Sequence, residues 1–225
     1  MDEPSKKSVV ILIGPPGSGK DTQAEYLAKE LGLVHVKTSG LIEEKFKTAD
    51  SNDPQIIEEK RRWTEGELVG REFVNKLMLE KIKDVRESEK GIIFSGSPRE
   101  ATEAKVIMPE LDSLFGKDNI KVVKITLSEE ESIKRNSHRR MCEANRHPIP
   151  DFPEFKDITV CPEDGSPIVT RVLDDPETIK IRYKVYLNET EPVIDFLREK
   201  GYNILEVDGE QSIENLHRDI LNKLW

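Results

Sequence analysis

The sequence predicts an α/β domain in which a five-stranded parallel sheet carries helices on both faces and two insertions. Three observations predict it. Five short apolar runs alternate with stretches of helical periodicity: Val9–Ile13, Leu33–Val36, Gly91–Ser95, Lys121–Leu127 and Ile204–Val207. The first run leads directly into the glycine-rich stretch Gly14-Pro15-Pro16-Gly17-Ser18-Gly19-Lys20-Asp21-Thr22. A chain of 225 residues, 36% hydrophobic and 35% charged, can bury one sizeable core under a well-solvated surface. Residues 1–225 are therefore read as a single domain.

The elements follow in order. Thr22 to Leu31 places Tyr26, Leu27 and Leu31 at helical spacing. After the second strand, residues 38–69 form a polar, helix-rich insertion, highly charged from Pro54 to Arg62 and punctuated at Glu65 to Val69. From Gly70, the residues Phe73, Val74, Leu77, Met78, Ile82 and Val85 recur as one face of an amphipathic helix. Ser97-Pro98-Arg99 breaks the third strand and leads into a helix through Leu114. Ser128 with Glu131 forms a capping-box pattern, in which each side chain satisfies the other's backbone donor. The helix it opens ends in Arg135, His138, Arg139 and Arg140. Five prolines between Met141 and Thr170 exclude a long helix, so residues 141–170 read as an irregular insertion. Asp175-Pro176-Glu177 starts the next helix, which Pro192 kinks or breaks. Ile213 to Leu224 is the last helix.

Charge and cysteine content narrow the function. A net charge of −9 argues against nucleic acid or an anionic membrane as the main partner. Two cysteines make no disulfide framework and suit a reducing compartment. The first eight residues hold no apolar signal core, and no apolar run approaches membrane-spanning length. A cytoplasmic monomer is expected.

The glycine-rich stretch has the composition of a phosphate cradle, or P-loop. Glycines let backbone N–H groups turn toward phosphates, the helix dipole adds attraction, and Lys20 reaches the outer phosphates. A chance glycine turn is the alternative; the strand before it and the helix after it argue for the cradle. In such sheets ligands bind at the carboxyl ends of the strands, where the cradle, Thr38 and Ser95 to Arg99 all fall. Phosphoryl transfer needs charge neutralisation more than covalent chemistry. Arg99, the pair Arg135 and Arg139 four apart on one helix face, Arg171 and Arg182 fit that need as a phosphate clamp. Singly, each reads equally well as a surface arginine.

Taken together, these motifs resemble the adenylate kinases, a family of nucleoside monophosphate kinases, from about Val9 to Leu224. The loop with Thr22-Gln23, Lys37-Thr38-Ser39-Gly40, Gly66-Glu67-Leu68-Val69, Ser95-Gly96-Ser97-Pro98-Arg99, the arginine segments and Asp208-Gly209 stand in the family's order. The resemblance implies ATP and a nucleoside monophosphate as substrates, AMP foremost, with Mg2+ accompanying ATP. It implies an ATP site of Gly17, Ser18, Gly19, Lys20, Asp21, Thr22, Arg135, Arg139 and Gln211. The acceptor site would comprise Thr38, Glu43, Glu67, Leu68, Val69, Gly96, Arg99, Glu103, Arg171 and Arg182. Lys20, Arg99, Arg139, Arg171 and Arg182 would carry catalysis, Thr22 would help hold Mg2+, residues 38–69 would bind the acceptor, and residues 141–170 would be a lid.

Several positions depart from the family pattern. Glu43 stands where the family has an arginine, Gly40 and Ser95 where it has aspartates near magnesium, Glu103 where a glutamine faces the acceptor base, and Asp21 where the loop has a glycine. A GMP- or CMP-preferring kinase, a nucleotide-binding protein with little turnover, and a small kinase for another metabolite therefore remain as alternatives. Some family members carry a zinc knuckle in the lid. Here Cys142, His147, Cys161 and Asp164 are a legitimate tetrahedral set, against two free thiols in a metal-free lid. His35 is expected at a strand end, His217 exposed on the last helix, and Trp63 without a functional part.

Overall fold

The computed structural model describes residues 8–65, 67, 69–144, 148–149, 155–170 and 174–225. In chain order the elements begin with β1 (Val9–Ile13), α1 (Lys20–Leu31), β2 (Val34–Val36), α2 (Thr38–Thr48), α3 (Pro54–Glu65) and α4 (Arg71–Glu87). Next come β3 (Ile92–Ser95), α5 (Ala101–Phe115), β4 (Ile120–Thr126), α6 (Glu129–Ser137), β5 (Arg140–Cys142), β6 (Pro148–Ile149) and β7 (Ile168–Thr170). The chain continues through α7 (Pro176–Val185), α8 (Glu191–Glu199), β8 (Ile204–Asp208) and α9 (Ile213–Leu224).

The expected parallel sheet is present, in the order β2-β3-β1-β4-β8. Strand β1 lies at its centre with every residue buried, so it reads as a continuous apolar run rather than an alternation. Successive side chains still point to opposite faces. Val9, Ile11 and Ile13 join Ile92, Phe94 and residues of α4, α5 and α8 in one core layer. Val10 and Leu12 join Ile93, Val123, Ile125 and residues of α1 and α9 in the other.

Both insertions have apolar clusters of their own. Ile42, Ile56, Phe73 and Leu77 tie α2 and α3 to α4, with Phe46 and Trp63 packed against them. Cys142, Ile149 and Cys161 form a small core beyond α6.

The structure corrects several expectations. Residues 141–170 are not wholly irregular: β6-β5-β7 form a three-stranded antiparallel sheet. Proline excluded a long helix there without excluding strands this short. The capping box is half made. Ser128 Oγ accepts from the Glu131 N–H, but the Ser128 N–H donates to Glu210 at 2.9 Å, and Glu131 pairs with Lys134 and Arg135. Helix α6 stops at Ser137, so Arg135 and Arg139 do not share a helix face. Between α7 and α8 the Glu191 N–H reaches back to Tyr186 O, a wider turn than an α-helix makes. Pro192 then sits in the first turn of α8. The backbone stays helical through this wider turn, so the helix is neither sharply ended nor restarted but carries one wide turn that accommodates the proline. His217 is largely covered and meets Gln23 Oε1 at 3.0 Å and Glu30 Oε2 at 2.8 Å.

Candidate active site

Helix α1 starts two residues earlier than its apolar spacing suggests. Gly19, at φ 83°, is its N-cap, and this brings Lys20, Asp21 and Thr22 into the first turn at the end of β1. Among the described residues no side chain caps this start, so its first N–H groups are available to an anion. Gly17 is required where it stands. Its φ is +78°, and a Cβ would lie 2.5 Å from Asn136 Nδ2. The Ser18 hydroxyl is fully buried within the loop, and no hydrogen-bond partner reaches it among the described residues.

Lys20 organises the charges around the loop. Its amine donates to the Pro15 carbonyl at 3.2 Å. Burial lowers its pKa from 10.5 to about 8; Asp21 opposes this, and the guanidinium charges of Arg99, Arg182 and Arg139 add to the lowering. The structure thus brings four expected cations to one place from four different segments. Gly96, at φ +80°, lets the chain pass between two of them, since a Cβ there would stand 3.4 Å from both Lys20 Cε and Arg99 Nη2.

Each cation is positioned by a partner. Arg99 Nε donates to the Gly96 carbonyl at 2.6 Å. Arg139 makes a two-pronged contact with Asp174, Nε to Oδ2 at 3.0 Å and Nη2 to Oδ1 at 2.9 Å. Arg182 Nη1 reaches the same carboxylate at 3.2 Å. Asp174, which holds both arginines, is a residue that the sequence reading did not single out. It adjoins Asp175, the N-cap of α7, and in sequence the pair reads as one acidic cap.

Asp21 is exposed beside Lys20. Surrounding protein raises its carboxyl pKa, but Lys20, the nearby Ser95 hydroxyl, Lys37 and His35 together hold it below its ordinary value. His35, at a strand end as expected, contacts Ser95 Oγ through Nε2 at 2.7 Å. Burial pushes the imidazole down to about 4, Lys37 adds to this, and Asp21 and Glu25 oppose it.

Other expected residues lie as follows. Thr22 is half-buried in the first turn of α1, Thr38 begins α2, and Glu43 lies half-buried on α2. Glu67 pairs with Arg61, and Val69 packs on the cluster that ties α2 and α3 to α4. Glu103 accepts from the Ser97 hydroxyl at 2.6 Å and from the Arg99 N–H at 2.7 Å. Arg135 pairs with Glu131 at 2.9 Å. Gln211 donates to the Asp208 carbonyl at 2.8 Å and to Asp219 at 3.0 Å. Leu68, His147 and Arg171 lie outside the described residues. In the insertion that carries β5 and β7, Cys142, Cys161 and Asp164 bring their ligand atoms within 4.8 Å of one another, and Cys142 Sγ meets Asp164 Oδ2 at 3.2 Å.

A parallel sheet of this order, with an uncapped glycine loop and converging lysine and arginines, defines a P-loop phosphotransferase of the nucleoside monophosphate kinase class. A sequence model described as "Adenylate kinase" matches residues 12–202. The adenylate kinase of Archaeoglobus fulgidus is 33% identical over 215 residues, covering 94% of this chain and 95% of that protein. Those of Petrotoga mobilis and Bacillus subtilis are 32% and 30% identical over 217 and 219 residues, each covering 96% of this chain and 96% and 97% of their own length. The chain belongs to the adenylate kinase family.

Proposed function

We propose that the enzyme transfers the γ-phosphoryl group of ATP to AMP, giving two ADP, with the site residues in the following roles. The loop amides and Lys20 hold the ATP phosphates, and Arg99 holds the acceptor phosphate. Arg139 and Arg182, with Arg171, take up the charge on the transferring group. An AMP phosphate oxygen attacks the γ-phosphorus. The bond from that phosphorus to the β,γ-bridging oxygen breaks, and the electron pair stays on the ADP that leaves. The attacking oxygen is already anionic, so no general base is required. One observation carries this reading: the charges of Arg99, Arg182 and Arg139 all reach Lys20 at the phosphate loop, and Arg139 and Arg182 share the Asp174 carboxylate.

Mg2+ enters with ATP. Its preference for hard oxygen ligands fits the Thr22 hydroxyl and the Asp21 carboxylate at the loop, and it supplies neutralisation of phosphate charge. In the lid, two thiols and a carboxylate suit zinc, with His147 as the fourth ligand. Residues 38–69 and 141–170 close over the bound nucleotides and exclude water. Among the described residues no helix is long and apolar enough to cross a membrane. Cys142 and Cys161, two buried thiols, support a reducing, cytoplasmic setting. We read the enzyme as monomeric, because every group in the proposed mechanism comes from one chain.

The test is a coupled assay with each nucleoside monophosphate in turn. AMP is the expected best acceptor, and Lys20→Met or Arg99→Ala lowers kcat on the order of a thousandfold. Wild-type protein that binds ATP yet transfers phosphate to no nucleoside monophosphate would overturn the reading.

A further inference from the structure

Glu59 is only 7% exposed, on a helix rich in charged residues. It shares the inner face of α3 with Ile56, which packs in the cluster that ties α3 to α4. A carboxylate in that place needs a hydrogen-bonding reason, because burial strips it of water. Gly70 supplies the reason: its N–H donates to Glu59 Oε2 at 2.7 Å.

Gly70 is the N-cap of α4 and has no side chain with which to cap that start. In a capping box, the residue three positions into the helix reaches back to the N-cap N–H. Here that residue is Phe73, which is committed to the core. Glu59 takes its part from another helix, 11 positions earlier in the chain. The fit is close. The φ of Gly70, −56°, demands no glycine, yet a Cβ there would lie 2.5 Å from Glu59 Oε1. Glycine at position 70 and glutamate at position 59 therefore form one device.

Between them the chain carries Glu67 and Val69. The Glu67 N–H donates to the Arg62 carbonyl at 2.8 Å, and Val69 packs on the cluster between α3 and α4. On the other side of Gly70, Arg71 meets Glu100 at 3.1 Å, and Glu100 directly follows Arg99. Glu59 thus closes the turn from α3 to α4 where that turn adjoins the one presenting Arg99.

We propose that Glu59 is a positioning residue for the acceptor nucleotide: by holding the Gly70 N–H it fixes Glu67 and Val69 relative to Arg99 and so sets acceptor affinity. The inference rests on the reading of residues 38–69 as the acceptor site.

The experiment measures KM for each substrate in the full chain, with the other substrate saturating. The acceptor is the nucleoside monophosphate that wild type uses best. Glu59→Ala raises the acceptor KM on the order of tenfold, the share of one lost buried hydrogen bond, and leaves the ATP KM as in wild type. Glu59→Gln, whose amide oxygen still accepts from Gly70, retains the wild-type acceptor KM. Gly70→Ala forces the carboxylate aside and reproduces the Glu59→Ala defect. The double variant is no worse than either single one, because both remove the same contact. Thermal unfolding accompanies each variant; where Glu59→Ala does not fold, Gly70→Ala carries the same comparison. An unchanged acceptor KM in the folded variant, or both KM values raised alike, overturns the proposal and leaves Glu59 with a structural part only. Defects of the two single variants that add in full overturn it as well. Wild type that transfers phosphate to no nucleoside monophosphate overturns the acceptor-site reading itself.

Discussion

Arg139 and Arg182, 43 positions apart in sequence, meet on one carboxylate, that of Asp174. Arg139 binds it through two N–H groups at 3.0 and 2.9 Å, and Arg182 reaches it at 3.2 Å. The carboxylate is only 3% exposed, while both guanidiniums keep contact with solvent. This arrangement holds two cations near Lys20 without leaving their mutual repulsion uncompensated. It also keeps both guanidiniums at the edge of the phosphate loop, where their charge reaches Lys20.

Asp174→Ala should therefore damage both stability and turnover. Removing one member of a buried ion pair costs about 3–5 kcal/mol, and solvent access to the arginines lowers the expectation to about 1–3 kcal/mol. Arg139 and Arg182 lose their alignment, and kcat falls about a hundredfold, the order expected for an ångström of misplacement. Denaturant unfolding and the coupled assay check the two effects. A variant that unfolds as wild type does and turns over normally would show that Asp174 positions neither arginine.

Legibility in the sequence followed the range of the interactions. The loop from Gly14 to Thr22, the five strands and the cap at Asp175 depend on neighbours in the chain, and local pattern exposed them. Arg99 was legible because it directly follows a strand end. Asp174 was not, since its role comes from Arg139, 35 positions away. The link from His35 to Ser95 spans 60 positions and leaves no periodicity to read. The lid strands escaped notice because two- and three-residue strands carry too little alternation to count. Glu131 illustrates the opposite error: the capping pattern was real, but Glu210, far along the chain at the end of the neighbouring strand β8, took the Ser128 N–H.

His35 makes stability depend on pH. Its imidazole takes up a proton near pH 6.5 in the unfolded chain but only near about 4 in the folded protein. Between these values the unfolded state binds more protons, so stability rises with pH through the window and is lost as pH falls from 6.5 toward 4. His35→Gln keeps a hydrogen-bonding group toward Ser95 and removes the titration. The melting temperature of the variant should fall less steeply over that range than that of wild type. A parallel pair of curves, or an imidazole NMR signal titrating near 6.5, would contradict the assignment.

Zinc in the lid is a separate question from catalysis. Tetrahedral bonds of about 2.3 Å to sulfur separate two ligating sulfurs by roughly 3.8 Å, within the 4.8 Å spread of the Cys142, Cys161 and Asp164 ligand atoms. Protein purified without chelator should carry a single zinc ion, and Cys142→Ser should lose it. Chelation should lower the melting temperature through the lid's small core, since bound metal stabilises only the folded form. Turnover should persist, because no catalytic group is a lid ligand. Zinc-free protein with an unaltered melting curve would assign the two cysteines to packing alone.

Glu103 stands where the family pattern has a glutamine facing the acceptor base, yet its carboxylate is engaged elsewhere. An ionised glutamate only accepts hydrogen bonds. Facing adenine, it would meet the amino group well but repel the adjacent ring nitrogen, whereas guanine would offer it two donors. The geometry gives the carboxylate other work: Oε1 accepts from Ser97 and Oε2 from the Arg99 N–H, bracing the turn that presents Arg99. In Glu103→Gln the amide oxygen still accepts from Arg99, and its nitrogen can donate to Ser97. The order of catalytic efficiency among AMP, GMP and CMP should therefore stay as in wild type. Glu103→Ala removes both bonds, at a cost of about 1–3 kcal/mol in stability, and loosens Arg99, so kcat should fall for all three acceptors alike. If Glu103→Gln instead strengthens AMP while weakening GMP or CMP, the carboxylate reads the base and the brace is incidental.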